Sequence, residues 1–403
     1  VTTGTAVGGA DVVPPDRQMV RALWPLLVAA ALGLVPFTVF STFLVPIASD
    51  AGSDIDVVGA LRGLGGLAAL AVGALAAPVV DRLSRAHIAA GALALLAAGC
   101  LLSLASSTAT WVVFSLLIGA GTSLLNPALS VMAADHYAGA AASGRAATLV
   151  SSTTTLTAVL AAPLLAVPAL WWGWQGDFVV AAVACVVVAA LVVRRPAPIV
   201  EPSAAVGYRE AFRTVLSLPG VPGLLLISAA RTTCFMGQLA YVAAYFDDRH
   251  GLSATTFSLV WTLSGLSFFL GSWWTGRHLS RSGDAGTLLR RGCALGAVGA
   301  ATLFMSPSLI VALVAVSAVA AGHAMIAATV VTLVVRRAGR VRGTALSLNA
   351  SGQSLGVFLG AALVALALRL GGWHAVGGTL AVIMAGALLM AMRLRDSSHE
   401  EPT

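Results

Sequence analysis

The sequence predicts an all-α integral membrane protein, with twelve membrane-spanning helices arranged as two six-helix bundles. Three observations lead there. Of the 403 residues, 58% are apolar and only 10% charged, far from the balance of a soluble domain. Apolar runs near the roughly 20 residues needed to cross a hydrocarbon core recur along the whole chain. Finally, the arginines gather in alternate connecting segments, as cytoplasmic loops of membrane proteins do. The Ala, Leu and Val blocks lack the two-residue alternation of a transmembrane β-barrel, and in lipid a backbone that satisfies its own polar groups must then be helical.

Residues 1–21 read as a short cytoplasmic arm. Helix 1 is expected over 22–49, a run of about 28 residues, too long for the apolar core of a secretory signal. Helix 2 follows over 57–80, after the acidic word "SDAGSDID". A charged word, "APVVDRLSRAHI", separates it from helix 3 at 88–107, and "SSTAT" separates that from helix 4 at 110–134. Helices 5 and 6 are expected over 146–170 and 176–193, on either side of "WWGWQGD". Residues 194–220 are rich in Pro and charge and form the longest polar interruption, so they divide the chain six helices from six. The second half reads as helix 7 at 221–246, helix 8 at 255–276, helix 9 at 287–306, helix 10 at 308–335, helix 11 at 343–370 and helix 12 at 373–393. Residues 394–403 form a cytoplasmic tail.

All 23 basic residues are arginine. Nineteen fall in the N-terminal arm, the C-terminal tail and the loops 81–87, 135–145, 194–220, 277–291 and 336–342; Arg62, Arg231, Arg249 and Arg369 lie elsewhere. Both termini are therefore expected in the cytoplasm of a cell whose plasma (inner) membrane holds the chain. The net charge of +7 is spread over separate loops instead of one face, which excludes a nucleic-acid footprint. Without lysine there is no Walker A loop, and so no ATP-driven pump. Cys100, Cys185, Cys234 and Cys293 each stand alone in an apolar run, with no metal-ligand spacing, so neither metal nor cofactor is expected. An initial Val and the Lys-free, Arg-rich usage suit a GC-rich bacterial genome.

The charged word between helices 2 and 3 has a partner, "TGRHLSRSGDAG", at the same place in the second half. A parallel repeat of this kind sets a substrate site between the halves near mid-membrane. At these residues the sequence resembles the major facilitator superfamily, and the resemblance spans nearly the whole chain. Ala77, Asp81, Arg82, Ser84 and Arg85 occupy the register of the family's helix 2–3 signature, and Trp172, Gly173, Trp174 and Phe178 that of its word before helix 6. The pattern is most like the twelve-helix drug:proton antiporter branch. Ser115 stands where that branch carries an Arg before Gly119 and Gly121, and Ala162, Pro163 and Ala166 stand in its helix-5 word. The resemblance implies a monomeric secondary transporter exporting small amphipathic compounds against a proton gradient. It further implies a cytoplasmic gate in which Asp81 faces the start of helix 11 near Arg342, while Arg82 or Arg85 meets Asp135. Uptake or exchange of an organic anion is the alternative function; a membrane sensor is a more distant one.

Polar residues within the spans are the candidate substrate contacts. Arg231 lies near half depth in helix 7, where an Arg costs roughly 2.5 to 3.5 kcal/mol to insert. Gln238, Tyr241 and Tyr245 follow it on one helical face. Thr122 and Asn126 continue a small polar stripe in helix 4 that ends at Pro127, a stripe equally suited to close packing. Asn349 and Gln353 head a face of helix 11 that continues into Gly356 and Gly360. His323 in helix 10 is the leading proton-coupling candidate, because imidazole titrates near neutrality and no acid is expected inside the spans. Asp50, Asp81, Asp135 and Asp177 are placed at span ends. Arg62 is expected to snorkel to the outer interface, close enough to Asp54 and Asp56 to share an outer gate. Paired carboxylates, a metal set or an activated nucleophile are missing from the spans, so catalysis is not expected.

Overall fold

The structure is a computed structural model that describes residues 14–75, 83–137, 139–194, 208–281 and 284–394. Helix 1 consists of three segments, Asp16–Leu32, Val35–Thr42 and Leu44–Asp50, instead of one rod. Pro36 occupies the first turn of the second segment, where its missing N–H costs nothing. Helix 2 is Ile55–Leu75, helix 3 Arg85–Ser103 and helix 4 Thr108–Asp135. Ser107 and Thr110 bond each other's backbone N–H at the start of helix 4, a reciprocal cap that marks this end.

Helices 5 and 6 form one helical run, Ala140–Val193, broken only at Gly173, whose φ is 64°. Helices 11 and 12 repeat the arrangement in Arg342–Arg393, broken at Gly371 and at Gly372, whose φ is 63°. A left-handed φ is open to glycine at little cost, so a single residue does the work expected of a loop. Between the halves, part of the predicted polar interruption is itself a helix, Tyr208–Ser217. Helices 7 to 10 are Val221–His250, Ala254–Arg281, Ala285–Met305 and Leu309–Ala338. Nine of the described helical segments are long and apolar enough to cross a bilayer by length and composition, one of them the run that contains helices 11 and 12.

Small residues set the helix seams. The Gly119 backbone lies directly on Gly65, joining helices 4 and 2; Gly271 lies on Ala321, with a would-be Cβ 3.0 Å from its Cα, joining helices 8 and 10. Gly356 and Gly360 press against the helix 7 backbone from Ala229 to Gly237, so that end of the helix 11 face is a packing seam. Lipid supplies no hydrophobic drive between helices, and close van der Waals approach through glycine replaces it.

Each bundle is fastened at one end by the same bond. Trp174, next to the Gly173 break, donates its indole N–H to Asp50 Oδ2 at 2.9 Å. Trp373, next to the Gly372 break, donates to Asp248 Oδ2 at 2.7 Å. Behind each lies an aromatic cluster: Trp111, Phe114 and Phe178 in the first bundle, and Tyr245, Phe304 and Trp373 in the second. This end also holds Asp54 and Asp56 and is called the acidic end. At the opposite, arginine end, Arg145 forms a bidentate pair with Asp16, and Arg337 meets Gly220.

Candidate functional site

The site grows from a run of glycines in helix 2, "GALRGLGGL". Gly59 leaves room for the Tyr241 ring of helix 7, while Gly63 and Gly66 let the helix 2 backbone touch Ser354, Phe358 and Ala361 of helix 11. Gly65, on the other side, faces Phe37 and Ser115 within its own bundle. Helix 2 is thus the plate on which the two bundles meet. Further along the helix, a Cβ on Gly73 would meet nothing within 4 Å.

Arg62 sits in the middle of this plate, and its position corrects the sequence expectation. Its side chain is only 7% exposed, so it does not snorkel outward. It donates to the Met236 carbonyl of helix 7 at 3.4 Å and lies 5.5 Å from the centre of the Phe37 ring. Its Nε has no partner. Arg62 also does not pair with Asp54 or Asp56. The close packing of helix 2 on helix 7 turns it inward, and Asp54 is exposed. Asp56 instead takes Arg369 of helix 11, Nε to Oδ2 at 2.9 Å. Its backbone carbonyl accepts the Tyr241 hydroxyl at 2.9 Å. A cavity of about 570 Å³ opens beside this pair, lined by Ser53, Asp54, Asp56 and Arg369 among others.

The helix 7 stripe does not line a single cavity. Tyr241 is spent on the bundle interface, and Tyr245 donates to the Ser306 carbonyl within its bundle at 3.1 Å. Gln238 is 1% exposed and its Oε1 has no partner. Arg231 turns into the second bundle, where one guanidinium nitrogen lies 2.8 Å from His323 Nε2 and the other bonds Thr232 Oγ1. Phe235 stacks on the His323 ring at 3.7 Å. The chamber around them, between helices 7, 9, 10 and 12, has about 10 Å³, which is the size of one water. The structure therefore joins Arg231 to His323, the two charged or titrating residues that sequence reading had kept apart.

Other expected contacts are less gathered. Thr122 spends its hydroxyl on Ile118 and Gly119 of its own helix. Asn126 is exposed, Gln353 half-buried and Asn349 buried with Oδ1 unpartnered. Among the described residues no hydrogen bond joins these three to another side chain. Asp81 and Arg82 lie outside the described residues. Of their expected companions, Arg85 is half-buried and Asp135 and Arg342 are exposed, with no ion pair among the three. Asp177 is not at an open span end: it is 1% exposed with both carboxylate oxygens unpartnered. Arg369 was missed as a partner for Asp56, although a signal existed. Like Arg249, it is an arginine at the acidic end, against the charge rule that nineteen of the arginines obey.

Two six-helix bundles related by a repeat, meeting at a polar plate and fastened across one end, define a multi-pass membrane transporter. The chain belongs to the Major Facilitator Superfamily, whose family model matches residues 26–349. It carries small molecules and is not an enzyme. Solved structures agree on the fold. A bacterial homologue of the human lysosomal transporter Spinster, captured inward-facing and unoccupied, aligns with a TM-score of 0.71 at 18% identity, covering 94% of this chain and 96% of that one. The nucleoside transporter NupG aligns with a TM-score of 0.76 at 13% identity, covering 93% and 100%. A human organic anion transporter aligns with a TM-score of 0.62 at 17% identity, covering 94% and 100%. Among curated proteins, none matches this sequence.

Proposed function

We propose that the protein exports a small amphipathic organic compound in exchange for protons, by alternating access between its two bundles. The observation that carries this reading is the fastening at the acidic end. Asp56 and Tyr241 tie helix 2 to helices 11 and 7, while further along the helix a Cβ on Gly73 would meet nothing within 4 Å. The Arg369 side chain is 63% exposed and that of Asp56 15%, so water reaches the pair from the arginine side and screens it. Such a lock opens readily, which is what a gate in a cycling transporter requires. The arginine distribution supports the acidic end as the outer face, so this conformation is closed to the outside. The Arg231–His323 pair is the proposed coupling centre, because imidazole can exchange a proton and its charged form would repel the guanidinium beside it.

A second reading, uptake or exchange of an organic anion, draws on one observation. Arg62 and Arg231 are both buried, and neither meets a carboxylate among the described residues. In that reading Arg62, at the plate, joins Arg231 as counter-charge.

Transport into inverted vesicles separates them. Export with proton exchange predicts accumulation that accelerates when the lumen is made acidic, and its loss in His323→Asn. A substrate profile restricted to anions, indifferent to the imposed gradient, would establish the second reading instead. For the gate, Asp56→Asn and Arg369→Gln should each change the transport rate several-fold. The exchanged pair, Asp56→Arg with Arg369→Asp, should return it towards wild type. No recovery in the exchanged pair would remove the lock from the mechanism.

A further inference from the structure

The geometry points to an anionic phospholipid site on helix 8 at the arginine end: a phosphate held by Arg277 and Arg281, with an acyl chain along Trp273 and Phe269. These four residues stand four apart, so they form one gently winding row on the helix surface. The row spans about 18 Å at 1.5 Å per residue, on the order of one leaflet's depth.

The row faces away from the protein core. On the opposite side of the helix, Thr275 is fully buried and Gly271 lies on Ala321 of helix 10. Trp273 is 54% exposed and Phe269 48%, and both arginines are exposed. A groove of about 460 Å³ runs beside them, lined by Ser272, Trp273, Gly276, Arg277 and Arg281. A side chain on Gly276 would meet nothing within 4 Å, so this position leaves the groove open.

The charges are available. The Arg277 guanidinium lies 4.9 Å from the centre of the Trp273 ring, which fixes it in place by a cation–π contact without neutralising it. Neither Arg277 nor Arg281 has a carboxylate partner among the described residues. Two guanidiniums one turn apart match the geometry of a phosphodiester, which they can bond in a forked fashion. Exposed Leu266 and Leu270 flank the aromatic half, so the ligand must be apolar at one end and anionic at the other. Basic grooves at the cytoplasmic end of spanning helices are suited to such headgroups, and tryptophan to the interface level. A soluble phosphate would leave the apolar half of the row without a partner. The proposal is independent of which compound the protein transports and in which direction.

Purified full-length protein in a neutral detergent would be titrated with phosphatidylglycerol, phosphatidylcholine or inorganic phosphate, with bound lipid counted by native mass spectrometry. Phosphatidylglycerol should be retained at least tenfold better than phosphatidylcholine. That preference should vanish in Arg277→Gln/Arg281→Gln and persist in Arg194→Gln, which removes an exposed arginine elsewhere. Arg277→Lys/Arg281→Lys, which keeps both charges, should retain the preference. Equal retention of the two lipids, an unaltered preference in the glutamine pair, its loss in the lysine pair, or displacement of the lipid by inorganic phosphate would each overturn the site.

Discussion

In the N-terminal bundle, Gly33 of helix 1 faces Leu125 of helix 4, with a would-be Cβ 3.2 Å from the leucine side chain. The offset that maps Asp50 onto Asp248 maps Gly33 onto Arg231, which reaches His323 of helix 10, the fourth helix of its own bundle. Around this difference the two bundles are alike. Both have a left-handed glycine before a tryptophan, an indole bond to an aspartate in the last turn of the bundle's first helix, and an aromatic cluster behind it. The shared features are frame. The Arg231–His323 pair has no counterpart at the matching positions Gly33 and Leu125, and it is costly to bury.

That contrast can be broken or sharpened by substitution, beginning with the frame. Gly119→Leu or Gly360→Leu forces a side chain into the backbone of Gly65 or Thr233. We expect no monodisperse protein from either, read by size-exclusion chromatography, because overpacking at a backbone contact has no flexible neighbour to give way. A folded Gly119→Leu protein would mean that the helix 2–4 seam is looser than described.

Next comes the pair itself. Replacing both members, Arg231→Leu with His323→Leu, gives the second bundle the apolar filling of the first. Apolar substitution of a buried polar pair is often neutral or stabilising, by about 1–4 kcal/mol. The melting temperature should therefore hold or rise, while transport falls at least tenfold. Retained transport would make the pair structural, and the difference between bundles incidental.

The indole bonds test the likeness directly. Trp174→Phe and Trp373→Phe each remove the indole donor, leaving Asp50 with Gln175 at 3.5 Å and Asp248 with Arg249 at 3.8 Å, and bonds to charged groups contribute about 1.5–3 kcal/mol. Equal losses of stability are expected in chemical denaturation in detergent. A loss from one alone would show that the repeat is geometric without being energetic.

The smallest effect concerns Asp284, which caps helix 9 by accepting the Thr287 backbone N–H at 2.9 Å. Asp284→Ala should cost about 1 kcal/mol. The Thr287 backbone and hydroxyl bonds hold the Asp284 carboxyl below its usual range. The cap's contribution is therefore complete above the ordinary carboxylate pKa, and it is lost as pH falls through the lowered folded-state value. The alanine variant should show less acid sensitivity than wild type.

Much of the architecture was legible in the residues because a bilayer allows few solutions. A chain of recurring apolar runs without two-residue alternation has to be a set of spanning helices. The helix boundaries were less legible. Helix 1 is interrupted after Leu32 and at Phe43 because Pro36 and Pro46 cannot donate to the carbonyls of Leu32 and Thr42 four residues earlier, and hydropathy is blind to such breaks. Glycine's role in helix 2 was also hidden. "GALRGLGGL" drew attention to its arginine, whereas its glycines decide where the bundles touch.

By itself, the sequence determined the class, the repeat and the identity of the costly polar residues, since each of these follows from the free energy of moving a side chain or peptide group into lipid. Which polar residues meet was decided only by the tertiary structure. Arg62 turns inward to Met236, Asp56 takes Arg369 from the other bundle, and Arg231 finds His323 across its own. Partners so far apart in sequence are chosen by how closely the glycine seams let the helices approach, a matter of packing that no periodicity encodes.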